Sequence, residues 1–322
     1  MKKMSEEIEI ETIDEWLDFE TIHRLGKDMK EAAKTLGRDE ARFVVDAYYR
    51  MQEQRIRFDA QIREMTKEEE PHQLLDWFGA QSSLLEKQCA AGLDVYSVST
   101  SAGRWARSVC GVGPVITAGL IAHIDIERVH YAGQIWSYAG LTNAEWKKGQ
   151  KRPWNAALKT LCYKIGESFV KVQNNERDTY GHLFVKRKSL EWEKNLRGEN
   201  GEAAAAKAAV VGKDTIAYKW YSGQINPKWA KAFIDSGKAW PQSIPKKAMV
   251  GKGVPMLPPA HIHARARRWA VKLFLSHLFE VMYIAHHGVA PEQPFALTLD
   301  GHSRKIHVPN IDLWLEYEGI SL

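Results

Sequence analysis

Two long stretches of this sequence place apolar side chains at the three- and four-residue spacing of an α-helix. They cover residues 39–65 and 260–287, and charged residues separate the apolar ones in both. This period predicts amphipathic helices that bury one face. The second stretch contains the most apolar part of the chain, but Lys272, Ser276, His277 and Glu280 interrupt it, so we expect no membrane span.

The remaining pattern predicts a mainly α fold: a helical bundle with a central helix-hairpin-helix and a small C-terminal β-hairpin. Further helices are expected at 73–92, 184–198 and 202–221, with a serine-rich joint at 94–101. The β-hairpin is expected near 295–308, where FALTL alternates, Asp300-Gly301 is a turn pair and KIHV returns. The expected domains are an acidic helical arm (1–72), a helix-hairpin-helix domain (73–175), a helical insert with a Pro-rich linker (176–259), and a basic helix with the β-hairpin (260–322).

The net charge of +5 is distributed unevenly along the chain. Residues 1–100 contain 14 Lys and Arg against 22 Asp and Glu, whereas residues 101–322 contain 31 against 18. A basic region attracts phosphate through an electrostatic attraction that does not depend on base sequence. The charge therefore favours nucleic acid as a partner, while a merely solvated lysine surface is the alternative.

The sequence also indicates which cellular compartment and which cofactors to expect. The N-terminus is acidic and lacks an apolar signal core, so we expect a cytoplasmic protein without a membrane partner. Cys89, Cys110 and Cys162 show no ligand spacing such as C-x-x-C and are expected to be buried thiols. No carboxylate or thiolate accompanies the histidines of the second long helix, so we expect no metal or other cofactor; these are His261, His263 and His277.

The segment Gly111-Val112-Gly113-Pro114 is expected to join two helices. Proline suits the first position of a helix because its missing N–H would be unpaired there anyway. Glycines allow a positive φ and a close approach of the backbone to a ligand. The free amides at the start of the second helix can then hold a phosphate. Gly111, Val112 and Gly113 are therefore candidate phosphate contacts, and an ordinary tight turn is the alternative.

Two basic clusters accompany this motif. The first runs from Trp146 to Asn155, where tryptophans bracket Lys147, Lys148, Lys151 and Arg152, and Lys159 follows in the next helix. Cations neutralise phosphate, and an indole can stack on a base or anchor a core. The second cluster places Arg265, Arg268 and Lys272 on one face of helix 260–287 while an apolar face packs. Both clusters are predicted to bind nucleic acid.

Three motifs in this order resemble the C-terminal domain of a bacterial insertion-sequence transposase family. They are Gly111-Val112-Gly113-Pro114-Val115, then Ile121 to Asp125, then Ile135 to Leu141. That family pairs a RuvC-like domain with a helix-hairpin-helix domain and uses a structured guide RNA. The resemblance covers residues 84–172. Residues 151–172 and 261–278 also resemble a smaller set of stand-alone, transposase-labelled proteins of bacteria and their phages.

Two departures from the family limit what the resemblance implies. The family's RuvC-like domain carries four strand-borne acidic residues ahead of the hairpin, whereas residues 1–100 are expected to be helical. The family's catalytic serine follows its "AGL" turn, but residues 142–149 contain no serine. The resemblance therefore implies a retained backbone grip without strand-exchange chemistry, and the catalytic residues are unknown.

Three functions remain open from the sequence. The first is a transposase-like nucleic-acid-binding protein, with DNA favoured over RNA. The second is an active recombinase or nuclease that uses Mg²⁺ and relocated residues; the candidates are Ser137, Ser168, Asp125 and Asp178. The third is a protein-interaction module. Helix 39–65 could then pair with a partner protein or with a second copy of the chain.

Overall fold

A computed structural model describes residues 25–67, 73–251, 253–292 and 305–322. The described residues form α-helices joined by loops and contain no β-strand, which confirms the prediction of a mainly α fold. None of the described helices is long and apolar enough to cross a membrane. The chain divides into two compact units, residues 1–99 and 100–322. Each unit is described by itself below.

In the first unit, three helices are described: α1 (Lys27–Ala33), α2 (Arg38–Met65) and α3 (Gln73–Ser99). Helix α2 confirms the helix predicted at 39–65. A half-buried ion pair joins α2 to α3, because Arg55 Nε donates to Glu86 Oε2 at 2.6 Å. The rings of Phe58 and Phe78 stack beside it with centroids 6.0 Å apart.

Helix α3 continues through most of the serine-rich segment, so the joint expected at 94–101 is wrong for most of its length. Ser97 Oγ donates to Asp94 O at 2.7 Å, and Ser99 Oγ donates to Tyr96 O at 2.8 Å. These hydroxyls bond to helix carbonyls and are accommodated without a break. The helix ends at Ser99, and Thr100 begins the second unit with extended dihedral angles, φ −104° and ψ 147°.

The second unit contains ten helices among its described residues. They are α4 (Ser101–Ser108), α5 (Pro114–His123), α6 (Ala132–Tyr138), α7 (Ala156–Val172), α8 (Tyr180–Leu196), α9 (Gly201–Ala208), α10 (Ile216–Tyr221), α11 (Pro227–Asp235), α12 (Pro259–His287) and α13 (Ile311–Glu318). Helix α12 confirms the helix predicted at 260–287. At 29 residues it spans about 43 Å, and it packs against α4, α6, α7 and α8.

The main core of this unit is aromatic. Trp105 of α4 stacks on Phe274 of α12 with centroids 5.9 Å apart, and Phe169 of α7 stacks on Tyr180 of α8 at 4.9 Å. All four side chains are fully buried. Because they come from four helices, this one cluster holds α4, α7, α8 and α12 in fixed relation.

Among the described residues near the C-terminus, the expected β-hairpin is not seen. Most of that hairpin, residues 295–304, lies outside the described residues. Its expected return strand, 305–308, is described and is not a strand. The carbonyl of Ile306 lies 3.0 Å from His277 Nε2, and Val308 is buried. Packing against α12 therefore replaces strand pairing here.

Residues 241–259, expected to be a linker, are part of a second core. Asn195 of α8 forms two hydrogen bonds with this segment. Its Nδ2 donates to Leu257 O at 2.9 Å, and its Oδ1 accepts from Leu257 N at 2.8 Å. Met256 and Leu257 are buried. They pack with Trp192, Trp220, Tyr221, Ile225, Ala230 and Ile262.

The helix expected at 202–221 is interrupted between α9 and α10, where Gly212 and the helix cap Thr215 lie.

Candidate nucleic-acid interface

The predicted hairpin joins α4 to α5, with Gly111 at φ +85° and Pro114 in the first turn of α5. The two glycines have different surroundings. A β-carbon on Gly111 would lie 3.1 Å from Val172 Cγ2 and 3.2 Å from Ser168 Oγ, both on α7. A β-carbon on Gly113 would have no atom within 4 Å. Gly111 therefore packs against α7, while Gly113 leaves the start of α5 open.

The hairpin is held by α7 and by α4. Ser168 Oγ donates to Gly111 O at 2.6 Å, and Arg107 Nη1 lies 3.5 Å from Val112 O. Val112 itself is buried. Within the described residues, no side chain caps the first turn of α5. The first amides of α5 are therefore presented on a braced turn, which suits an anion.

Three cations lie beside the hairpin; the sequence analysis assigned Lys164 to the tryptophan cluster and did not single out Arg107 or Lys171. Arg107 contacts it directly, and Lys164 and Lys171 share the helical face of Ser168 at spacings of four and three residues. Burial lowers the pKa of Lys164, and the nearby charge of Lys171 lowers it further. The signal was present as an i, i+4, i+7 spacing. Only the contact between Ser168 and Gly111 relates that spacing to the hairpin.

The loop between α6 and α7 presents the first predicted cluster. Lys147, Lys148, Lys151 and Arg152 are exposed, and none forms an ion pair with a described carboxylate. Two exposed arginines of α2 show the contrast. Arg42 pairs with Asp39 at 2.8 Å, and Arg57 pairs with Glu53 at 2.6 Å. The loop cations therefore remain available to an anionic partner.

Tryptophans build the scaffold of this loop. Trp146 and Trp154 meet edge to face with centroids 5.9 Å apart, and Trp146 Nε1 donates to Gln150 O at 2.8 Å. Two cations cover the indole faces. Arg152 lies 5.6 Å from the Trp146 ring centroid and Lys159 lies 4.1 Å from that of Trp154. The indoles therefore position cations in this loop.

The two ends of the loop are fastened together. Asn155 N donates to Tyr138 O at 2.8 Å, and Asn155 Oδ1 accepts from Leu158 N at 2.9 Å to cap α7. The cationic loop thus stands at the N-terminal end of α7, while Ser168 and the hairpin stand near its C-terminal end. At 17 residues, α7 separates these two sites by about 20–25 Å.

The three cations of the second predicted cluster have different surroundings, and Arg265 differs from the other two. Arg265 Nη1 donates to Asn200 Oδ1 at 2.6 Å, and Arg265 Nε lies 3.4 Å from Glu191 Oε2. Glu191 is buried and also receives Arg187 Nη2 at 2.6 Å. Arg265 therefore compensates a buried carboxylate.

The other two cations of that cluster remain together. Lys272 Nζ lies 5.0 Å from the ring centroid of Trp136, whose Nε1 donates to Lys272 O at 2.9 Å. Burial lowers the pKa of Lys272, and the charge of Arg268 lowers it further. Arg268 is exposed. Arg268 and Lys272 therefore form a smaller cationic pair beside α6.

The residues considered for catalysis have structural contacts. Asp178 accepts from Gly181 N at 3.1 Å and from His182 N at 2.8 Å, which caps the start of α8. Asp125 lies 3.4 Å from Arg128, and Ser168 braces the hairpin. Ser137 is exposed. The described residues bring no three His, Cys, Asp or Glu side chains together as a metal site.

The predicted histidines and cysteines are dispersed. His277 Nε2 faces the carbonyl of Ile306, so it carries the proton, and Nδ1 accepts from Tyr180 Oη at 2.7 Å. His261 Nδ1 lies 3.0 Å from Tyr221 Oη. Cys162 is buried, and burial raises its pKa to about 12; Cys89 and Cys110 are half-buried.

A scan against protein-family models finds no match to this chain, and searches of curated proteins and of solved structures find none either.

Proposed function

We propose that this protein binds nucleic acid through the sugar-phosphate backbone, with DNA favoured over RNA, and that it does so in the cytoplasm without strand-exchange chemistry. One observation carries the proposal. Lys147, Lys148, Lys151 and Arg152 are exposed and unpaired among the described residues, on a loop that tryptophans hold in shape. Like charges on a braced loop suit a ligand with repeated negative charges.

The hairpin supplies the second part of the proposed interface. The open turn at Gly113, with Gly111 and Val112 behind it, offers backbone amides to one phosphate. Lys159, Arg268 and Lys272 would add charge nearer to the loop and α6. We expect a smaller contribution from Arg265, because its guanidinium is engaged by Glu191 and Asn200. The resemblance to guide-RNA transposases supports a backbone grip of this kind.

Fluorescence anisotropy with a labelled 40-base-pair duplex and a structured RNA hairpin, each at two salt concentrations, tests the proposal. The variant is K147E/K148E/K151E/R152E. Its matched control makes the same change in net charge at four exposed lysines elsewhere: K30E/K87E/K186E/K194E. We expect affinity to fall roughly tenfold or more only in the loop variant, and to fall steeply with salt in the wild type. Equal losses in both variants, or affinity indifferent to salt, would reject the proposal.

We also propose that the first unit associates with a second copy of the chain. On α2, residues at alternating three- and four-residue spacing are all uncharged: Val44, Ala47, Met51, Gln54, Phe58, Gln61 and Met65. Exposed apolar side chains continue on α3, where Trp77 is 46% and Phe78 43% exposed. An identical neutral face is a matched partner in a two-fold dimer. Light scattering of the wild type and of W77E/F78E tests this, and a monomeric wild type at all concentrations contradicts it.

A further inference from the structure

The segment that sequence analysis treated as an insert and linker carries a second concentration of positive charge. Residues 209–258 contain 8 Lys and only 2 Asp, with no Arg or Glu. One of the two carboxylates is already paired, since Lys231 Nζ lies 2.8 Å from Asp235 Oδ2. The other, Asp214, precedes α10. Most lysines of this segment therefore lack an acidic neighbour along the chain.

The fold brings the segment that carries Lys228 beside the segment that carries Lys246 and Lys247. Asn226 N donates to Ala248 O at 2.9 Å, and Val250 N donates to Gln224 O at 2.8 Å. This antiparallel bridge places Lys246 and Lys247 beside the start of α11, where Lys228 is the second residue. Side chains of a helix lean towards its N-terminus, so Lys228 leans towards the bridge. The three Cα atoms lie within about 10 Å of the bridge.

The three lysines are solvent-facing and uncompensated. Lys228, Lys246 and Lys247 are each exposed, and none pairs with a carboxylate of the described residues. Three like charges brought together repel one another in the free protein. A ligand with closely spaced negative charges would offset that repulsion.

The backbone under these lysines is firmly held. Gly223 and Gly253 let two chain segments cross in close contact, because a β-carbon on either would overlap the backbone of the other. Met256 N donates to Trp220 O at 3.0 Å just beyond that crossing. The backbone that carries the cluster is therefore joined to the second core.

We propose that Lys228, Lys246 and Lys247 form a second phosphate-backbone contact for nucleic acid, separate from the cationic loop and the hairpin. This inference rests on the proposed function, because it extends the bound length of the same ligand. Lysines are point charges without a planar fork, so they suit the repeated phosphates of a strand better than one oriented carboxylate.

The test is duplex binding by K228Q/K246Q/K247Q, measured by anisotropy over a range of salt with the same 40-base-pair probe. Each lost phosphate contact makes the slope of log K against log salt shallower by about 0.9. We expect the slope to become shallower by about 2–3 and affinity to fall roughly tenfold at low salt. The matched control, K30Q/K87Q/K186Q, removes the same charge from exposed lysines elsewhere. Circular dichroism checks that each variant is folded.

The loop variant is measured in parallel so that the two proposals fail separately. If both the loop variant and the lysine variant weaken binding beyond their controls, both proposals hold. If only the loop variant does, the second contact is rejected and the proposed function stands. If only the lysine variant does, the second contact holds and the loop assignment is rejected. If the wild type binds neither probe, both are rejected.

Discussion

Gly140 lies directly against the indole of Trp154. A β-carbon on Gly140 would come within 2.7 Å of Trp154 Cγ, and the residue has a φ of +64°. This contact joins the end of α6 to the cationic loop. It explains why the loop needs glycine here: a side chain would strain the backbone and push the tryptophan away.

We expect Gly140→Ala to lower the free energy of unfolding of residues 100–322 by roughly 2 kcal/mol or more. Gly149→Ala is the matched control, because Gly149 has a φ of +93° with nothing within 4 Å. It should cost about 1 kcal/mol from backbone strain alone. Urea denaturation measures both. Equal costs would show that the Trp154 contact does not matter.

The two hairpin glycines should respond differently to alanine. Gly111→Ala is expected to destabilise the protein by about 1–3 kcal/mol, because φ is positive and α7 is close. Gly113→Ala should leave stability within about 0.5 kcal/mol and lower nucleic-acid affinity several-fold by obstructing the open turn. Denaturation and anisotropy together check this. Unchanged binding by Gly113→Ala would remove the hairpin from the interface.

Ser168 is predicted to be structural. Ser168→Ala removes the hydrogen bond to Gly111 O, and we expect a loss of about 1–2 kcal/mol in stability. The exposed Ser137→Ala should cost almost nothing. Incubation of supercoiled DNA with Mg²⁺ completes the comparison. Strand breakage by the wild type that either variant abolishes would favour the active-recombinase alternative.

His277 should make stability depend on pH. Burial lowers its pKa from 6.5 to about 4, so the unfolded chain binds a proton more readily than the folded chain. The contribution of the neutral His277 imidazole to the free energy of unfolding is full above about pH 6.5. It is lost as pH falls towards 4, and the total loss is roughly 3 kcal/mol. Denaturation of the wild type and of His277→Gln across this range isolates it. Parallel pH profiles for the two proteins would contradict the prediction.

Asn195 should hold the second core together. Asn195→Ala removes both hydrogen bonds to Leu257 and leaves two buried backbone groups unpaired, at a cost of about 2–4 kcal/mol. In Asn195→Ala we expect amide hydrogen exchange to be faster in residues 241–258 than in α7. Asn200→Ala, which loses one half-exposed contact to Arg265, is the milder control. Uniform exchange across both segments would mean that the second core is not a separate cooperative element.

The local pattern of the sequence determined the long helices and the hairpin. The spacing of apolar residues predicts the bounds of α2 and α12 to within one residue, and the proline after two glycines predicts the start of α5. These signals can be read locally because they depend on neighbours within one or two helical turns. The cations of the α6–α7 loop could also be named, since a run of charge between tryptophans is visible in the chain itself.

Tertiary structure alone decided which of those residues are available. Arg265 and Arg268 look equivalent along α12, yet only Arg265 meets Glu191, a partner 74 positions away. The expected linker became a second core because Asn195 reaches Leu257, and the expected return strand packs beside His277 instead. Contacts between residues far apart in sequence depend on how faces meet after the helices pack, and no local period encodes that meeting.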